Sequence, residues 1–332
     1  MIWLTWRQFR AQAVVASGAL ALLAVAFAVT GPQLVHLYDT TVATCRAQHN
    51  CSIAINAFQG EDNFLQNLTR LVMVAGPALI GMFWGAPLIA HEVEVGTHRL
   101  AWTQSVTRLR WLTVKLGLAG LASMAAAGLL SLMVTWWSSP LDRVGAGWLA
   151  PSVFIDRGIV PVGYSAFAFA LGVTAGLLIH HTVPAMAVTL AVFAAVETGF
   201  ALKVRFHLMP PVRLVSALNM GWVTETGTGG LAGHTSFFVG ITPNLPGAWI
   251  STSEVTTAAG STYLGPVPHG CGANYTYSAC AAVIARMHLR QVVVYQPASR
   301  FWTFQWYETA IYLALAVVLA GFCVWWVRRR VS

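Results

Sequence analysis

Charge is what this sequence has least of. Only 9% of its 332 residues are Asp, Glu, Lys or Arg, against about 25% in a soluble domain. Lysine is nearly absent; Lys115 and Lys203 are the two present. Neither stands in a Gly-x-x-x-x-Gly-Lys-Ser/Thr loop, whose backbone N–H groups and lysine cradle phosphates, so the chain does not bind ATP in that way. A Gly-x-Ser-x-Gly elbow, a His-Glu-x-x-His pair and a Cys-x-x-Cys pair are also missing. The net charge of +8 sits at the ends of apolar runs rather than in a dense basic patch. That pattern argues against nucleic acid and for lipid headgroups as the surface it meets.

What is present is hydrophobic, 57% of the chain. A membrane span needs about 20 apolar residues to cross about 30 Å of hydrocarbon. Six runs meet that length, roughly 12–36, 68–90, 111–137, 161–181, 184–203 and 306–327. The expected fold is therefore an all-α polytopic membrane protein with six transmembrane helices. Small residues in GMFWG (81–85) and GLLSL (128–132) suit close helix packing. Arg7 and Arg10 precede the first run, Arg99, Arg108, Arg110 and Lys115 separate the second from the third, and Arg328–Arg330 end the chain. With six spans these fall on one side, so the positive-inside rule places both termini in the cytoplasm. Lys203, Arg205 and Arg213 then face outward against the rule, at the start of a loop about 100 residues long, where the rule is weak.

MIWLTWRQFR combines the aromatics Trp3 and Trp6 with the basic Arg7 and Arg10 within three turns, so residues 1–11 are expected to form an amphipathic helix along the interface. The apolar stretch that follows, about 25 residues, is too long for the 7–15-residue core of a signal peptide. The segment 204–305 is rich in Thr, Ser, Gly and Pro and reads as a loop-rich extracellular cap, with a short helix near 278–290 and an extended piece at 291–296. Cys45, Cys51, Cys271 and Cys280 all fall in outward segments, as disulfides in an oxidising exterior would. Short loops favour Cys45–Cys51 and Cys271–Cys280, and a cross-link between the two segments stays open. His49 beside Cys51 and His269 beside Cys271 do not make a metal-ligand spacing.

Glu197 is the acid read as lying deep in a span, where a charge costs about 2.5–3.5 kcal/mol on insertion scales. It is a candidate for the substrate path. Glu308, Arg70 and Lys115 lie nearer span ends and are expected to snorkel to the surface. His180, His181 and Pro184 read as a tight turn. The largest charged feature on the expected cytoplasmic side is HEVEVGTHRLAWTQSVTRLRW, residues 91–111. Glu92 and Glu94 are followed by Gly96, which permits a sharp turn, and Thr97, which can cap a helix. Arg99 and Trp102 would project from that helix, and both residue types anchor interfaces.

This segment resembles the one between the second and third spans of ATP-binding-cassette type-2 export permeases. The shared pattern is Glu92-x-Glu94-x-Gly96-Thr97, Leu100, Ser105-Val106-Thr107-Arg108 and Lys115. FWGAPLIA (83–90), PASRFWTFQW (297–306) and FCVWWVRRR (322–330) are similar to an actinobacterial branch. His91, where the family more often has Arg, and Ser105, in place of a proline, depart from the pattern. The resemblance implies a plasma-membrane subunit with no cofactor of its own. It would pair with a second copy of itself or a related permease and dock a separate P-loop ATPase, which carries ATP and Mg, through the N-terminal helix and the 91–108 loop. Two rival readings are a sensory or immunity subunit using 204–305 as its receptor, and a membrane-embedded enzyme centred on Glu197 or His180.

Overall fold

The computed structural model describes residues 2–46, 51, 54–55, 58, 60, 63–95, 107–144, 147–219, 223–229, 236–243, 245–263, 268–269, 271 and 277–330. The chain divides into two compact units, Met1–Leu208 with Phe301–Ser332, and Met209–Arg300.

The first unit is helical. Its helices are α1 (Ile2–Leu37), α2 (Asn63–Ile80), α3 (Ala86–Glu94), α4 (Arg108–Trp137), α5 (Val160–Ile179) and α6 (Thr182–Gly199), with α8 (Phe301–Arg330) returning after the second unit. A π-helical turn, Gly81–Gly85, joins α2 to α3, and another, Phe200–Val204, extends α6. Among the described residues, six helical stretches are long and apolar enough to cross a membrane: Arg10–Ala43, Phe64–Glu94, Leu109–Trp137, Val160–Ile179, Thr182–His207 and Ala298–Arg329. The chain is thus a multi-pass membrane protein.

α5 is the axis of this unit. Its apolar window is 78% buried within the chain, against 6% for the first span. Small residues make that central position available. A Cβ on Gly81 would come within 2.5 Å of the Ala168 carbonyl oxygen, and one on Gly85 equally close to that of Phe169. A Cβ on Gly172 or Gly176 would press still harder on the backbone of Gly81 and Ala86. The pairs Gly81/Gly85 and Gly172/Gly176 therefore let two backbones touch, as small-xxx-small seams do in lipid. Ala86, Ala90, Ala175 and Ala185 continue the seam.

Two expectations need correction here. Residues 2–11 are not a helix of their own: α1 runs unbroken for 36 residues, about 54 Å at 1.5 Å per residue. No Gly or Pro occurs between Ile2 and Ser17 to interrupt it. The fold is not all-α either, because the segment expected to be loop-rich is a folded unit. In it, β1 (Val212–Ala217), β5 (Arg290–Gln296) and β4 (Trp249–Thr256) form an antiparallel sheet in the order β1-β5-β4, and β2 (Val223–Gly229) pairs with β3 (Ser236–Ile241). Leu214 stands opposite Val293, and Ser253 faces it from the other side. Helix α7 (Tyr277–Arg286) supplies Cys280 and Ile284 to a core with Val255, Cys271, Leu289 and Val293. The helix and the extended piece expected near 278–290 and 291–296 correspond to α7 and β5.

Candidate functional site

Polar side chains in the helical unit gather at the two ends of α5, about 30 Å apart for a 20-residue helix. At the end where α5 turns into α6, His180 takes a left-handed conformation (φ 61°) and its N–H reaches the Gly176 carbonyl at 3.2 Å. A single left-handed residue closing a helix in this way lets the next one start at once. Glu94, the last residue of α3, meets the start of α6. One carboxylate oxygen accepts from the Thr182 N–H at 3.1 Å and from its hydroxyl at 2.7 Å, and the other lies 3.7 Å from His181 Nδ1. The carboxylate thus serves α6 as an N-terminal cap borrowed from another helix.

Two residues earlier, Glu92 points the other way. Its Oε1 lies 2.5 Å from Lys115 Nζ, and the lysine side chain is 2% exposed. Lys115 also sits 4.9 Å from the centre of the Trp111 ring, inside a cluster with Ile89, Leu112, Cys323 and Val327. The snorkelling expected of Lys115 is therefore wrong: the ammonium stays buried, and the carboxylate of Glu92 offsets part of its desolvation. Thr107 caps α4, its side chain accepting from Arg110 N at 3.4 Å. Gly96, Thr97, Arg99 and Trp102 lie outside the described residues, and Arg108 opens α4. Trp3, Trp6 and Arg7 lie on the first turns of α1. Arg10 is exposed there, directly before Ala11 and Gln12, which line an apolar groove of about 540 Å³ between α1, α2 and α4.

At the opposite end, Arg205, Glu308 and Tyr164 form a buried triad. Arg205 donates through Nε to Glu308 Oε2 and through Nη2 to Glu308 Oε1, both at 2.8 Å, and from Nη2 to the Tyr164 hydroxyl at 2.8 Å. Tyr164 in turn donates to Glu308. The guanidinium lies 5.0 Å from the centre of the Phe154 ring. Glu308 was expected to snorkel, and it does not: its side chain is fully buried, and the two-pronged fork of the arginine satisfies both of its oxygens. Glu197 is half-buried on α6, within electrostatic range of Arg205 and Glu308.

Beside the triad, Gln305 takes the N–H groups of Ile159 and Val160 at 2.9 and 3.0 Å and donates to the carbonyls of Phe154 and Arg157. Arg157 grips Asp142 through two bonds of 3.2 Å. Asp156, 4.0 Å from Arg70, is buried, and burial pushes its carboxyl up to about 6 against the opposing pull of Arg157 and Arg70. The cysteines pair as Cys45–Cys51 and Cys271–Cys280, and Cys323 is free and buried.

Sequence reasoning missed the triad, yet it had left a trace. Arg205 broke the positive-inside rule, and Glu308 was an acid at a comparable distance from the same end of the neighbouring span. Opposite charges at matched depth in consecutive spans were the signal. The family model described as ABC-2 membrane transporter related matches residues 17–205, from α1 through the triad arginine. No curated protein and no solved structure matches the chain. The matched residues are more than half of the 332, and the chain belongs to the ABC-2 membrane transporter related family, as a membrane permease component.

Proposed function

We propose that this chain is the transmembrane subunit of an ATP-driven exporter in the cell membrane, with both termini cytoplasmic. Two such subunits, identical or related, form the path. A separate P-loop ATPase, holding ATP and Mg, docks on the segment 95–107 and on the first turns of α1. The observation that supports this best is how that segment is rooted. The helix before it ends in Glu92 and the helix after it carries Lys115, and the two are joined at 2.5 Å in an apolar shell. That pair ties to each other the two spans that the segment connects.

Glu197 belongs in this reading to the substrate path, beside the triad. A second reading is favoured by one observation: the 92 residues of Met209–Arg300 form a folded unit with its own core rather than loose loops. Such a unit could bind a ligand and signal to the ATPase with little flux. The test is to extract the tagged chain in mild detergent and identify what accompanies it. A P-loop ATPase near one-to-one supports the permease reading. A chain that emerges alone, where other transporters stay assembled, sinks it.

A further inference from the structure

α1 is held against the other helices toward each of its ends. On the Leu37 side, Phe27 stacks on Trp137 of α4 at 5.1 Å, and the Trp137 indole N–H donates to the Thr30 hydroxyl at 2.8 Å. On the Ile2 side, Ala13 and Ala16 pack on the cluster around Trp84, and Gln12 Nε2 donates to the Phe83 carbonyl at 2.9 Å. Alongside lies the groove of about 540 Å³. It stays open because its walls carry small side chains: Ala16 and Ala19 on α1, Gly76 on α2, Ala126 and Ala127 on α4. A Cβ on Gly76 would meet nothing within 4 Å. The groove follows α1 from Ala11 to Leu23, and α2 with its π-helical turn from Val72 to Trp84. Along α1 that is about 18 Å at 1.5 Å per residue. One leaflet takes up about 15 Å of the bilayer's hydrocarbon core, so the groove is about one leaflet deep.

The lining decides what can fill it. Apart from the indole of Trp84, Gln12 is the one polar side chain along the walls, and its amide N–H is already given to Phe83. Water needs two to four polar partners and does not find them there. An empty slot would leave the walls without dispersion contacts on one side. A hydrocarbon chain meets both conditions. At the Ala11 end of the groove stands the exposed Arg10, at the depth where the headgroup of such a lipid lies, and a cationic side chain there favours an anionic headgroup. We propose that the groove is a binding site for one acyl chain of an anionic phospholipid, taken from the leaflet at the α1 N-terminus, with the lipid phosphate held at Arg10. The bound chain joins α1 to α2 and α4 where their own side chains are too small to meet. The site lies within one subunit and needs no ATPase.

The test uses the full chain in mild detergent, given equal amounts of phosphatidylglycerol and phosphatidylcholine, with native mass spectrometry counting the lipid retained per chain. The unaltered chain should keep a single phosphatidylglycerol, preferred about fivefold over phosphatidylcholine, which is what one cationic side chain near an anionic surface is worth. Gly76→Leu and Ala19→Phe fill the groove from opposite walls, and each should lose that lipid. Gly18→Leu should keep it: a Cβ there also meets nothing within 4 Å, but Gly18 does not line the groove. Arg10→Gln should keep a lipid and lose the preference. Added phosphatidylglycerol should raise the unfolding temperature of the unaltered chain and of Gly18→Leu, and leave the two filled variants where they were. If Gly76→Leu does not fold, Ala19→Phe, on the other helix, decides. An unaltered chain that retains no phospholipid overturns the inference, as does a filled variant that retains as much as the parent. An undiminished preference in Arg10→Gln removes the phosphate from Arg10 and overturns the anionic assignment. A change in the number of chains per particle in the filled variants would make the groove an interface between copies, and that too overturns it.

Discussion

The two ends of α5 each bury an ion pair, and they bury it in different ways. At the Tyr164 end, Arg205 and Glu308 meet through a two-pronged contact, with a tyrosine hydroxyl completing the shell. Both oxygens of Glu308 are used, and the pair ties α5, α8 and the continuation of α6 together. At the His181 end, Lys115 meets a single oxygen of Glu92, and an aromatic face stands where further acceptors would. An arginine fork fixes direction as well as distance, whereas an ammonium is a point charge that tolerates rotation. One end is held by a directional fork, and the other by a contact that leaves orientation free.

The comparison can be broken by measurement. Arg205→Met should have the largest effect, because it leaves a buried carboxylate without its countercharge; the expected loss is about 3–5 kcal/mol, read from thermal unfolding in detergent. Replacing Glu308 by Leu in the same chain should recover most of it. A loss below about 1 kcal/mol would mean that water reaches the triad. Lys115→Met should cost less, about 2–3 kcal/mol, since Glu92 keeps some access to solvent. Equal losses at the two ends would erase the distinction.

Asp156 sharpens the picture of the Tyr164 end through pH. Its carboxyl binds a proton more tightly folded, at about 6, than at its ordinary 3.8. The stability tied to the neutral form is therefore complete below about pH 4 and is lost as pH rises through 6. Asp156→Asn should match the parent near pH 4 and exceed it by about 1–3 kcal/mol above pH 7. Parallel curves for the two proteins would show that the carboxyl is not desolvated. Arg70, Arg157 and Asp142 are the charged groups around it and stay unchanged in the comparison. The smallest effect belongs to Thr182→Val, which removes one hydroxyl from the α6 cap at a cost of about 1 kcal/mol.

Much of this was legible in the residues. Spans of 20 apolar residues announce themselves because the bilayer sets their length, and the acids at 92 and 94 marked the segment that follows. Direction was not legible. Glu92 and Glu94 look like exposed docking charges in a linear reading, because nothing in the sequence says which helix will pass beside them. The ion pairs were hidden for the same reason: Glu92 and Lys115 are 23 positions apart, and Arg205 and Glu308 are separated by the whole second unit. Apart from β5, the strands of that unit were misread on composition. Val212, Leu214 and Ser216 alternate with more exposed neighbours in β1, a period of two that favours a half-buried strand. Thr and Ser in β4 suggested loops, although Thr, being β-branched, favours strands.

The sheet of the second unit begins and ends side by side. β1, just past α6, pairs along its length with β5, just before α8, Val212 standing opposite Tyr295. Gln296 donates to the Met209 carbonyl at 2.8 Å, and Arg300 to that of Pro210 at 2.7 Å. A domain whose first and last residues are neighbours behaves as an insert: it can be gained, lost or exchanged at a single point in the chain without lengthening the connection it interrupts. Grafting a different cap at 209–300, or closing the gap with a few glycines, should therefore be a matter of replacing one cassette while the six helices keep their sequence and their neighbours.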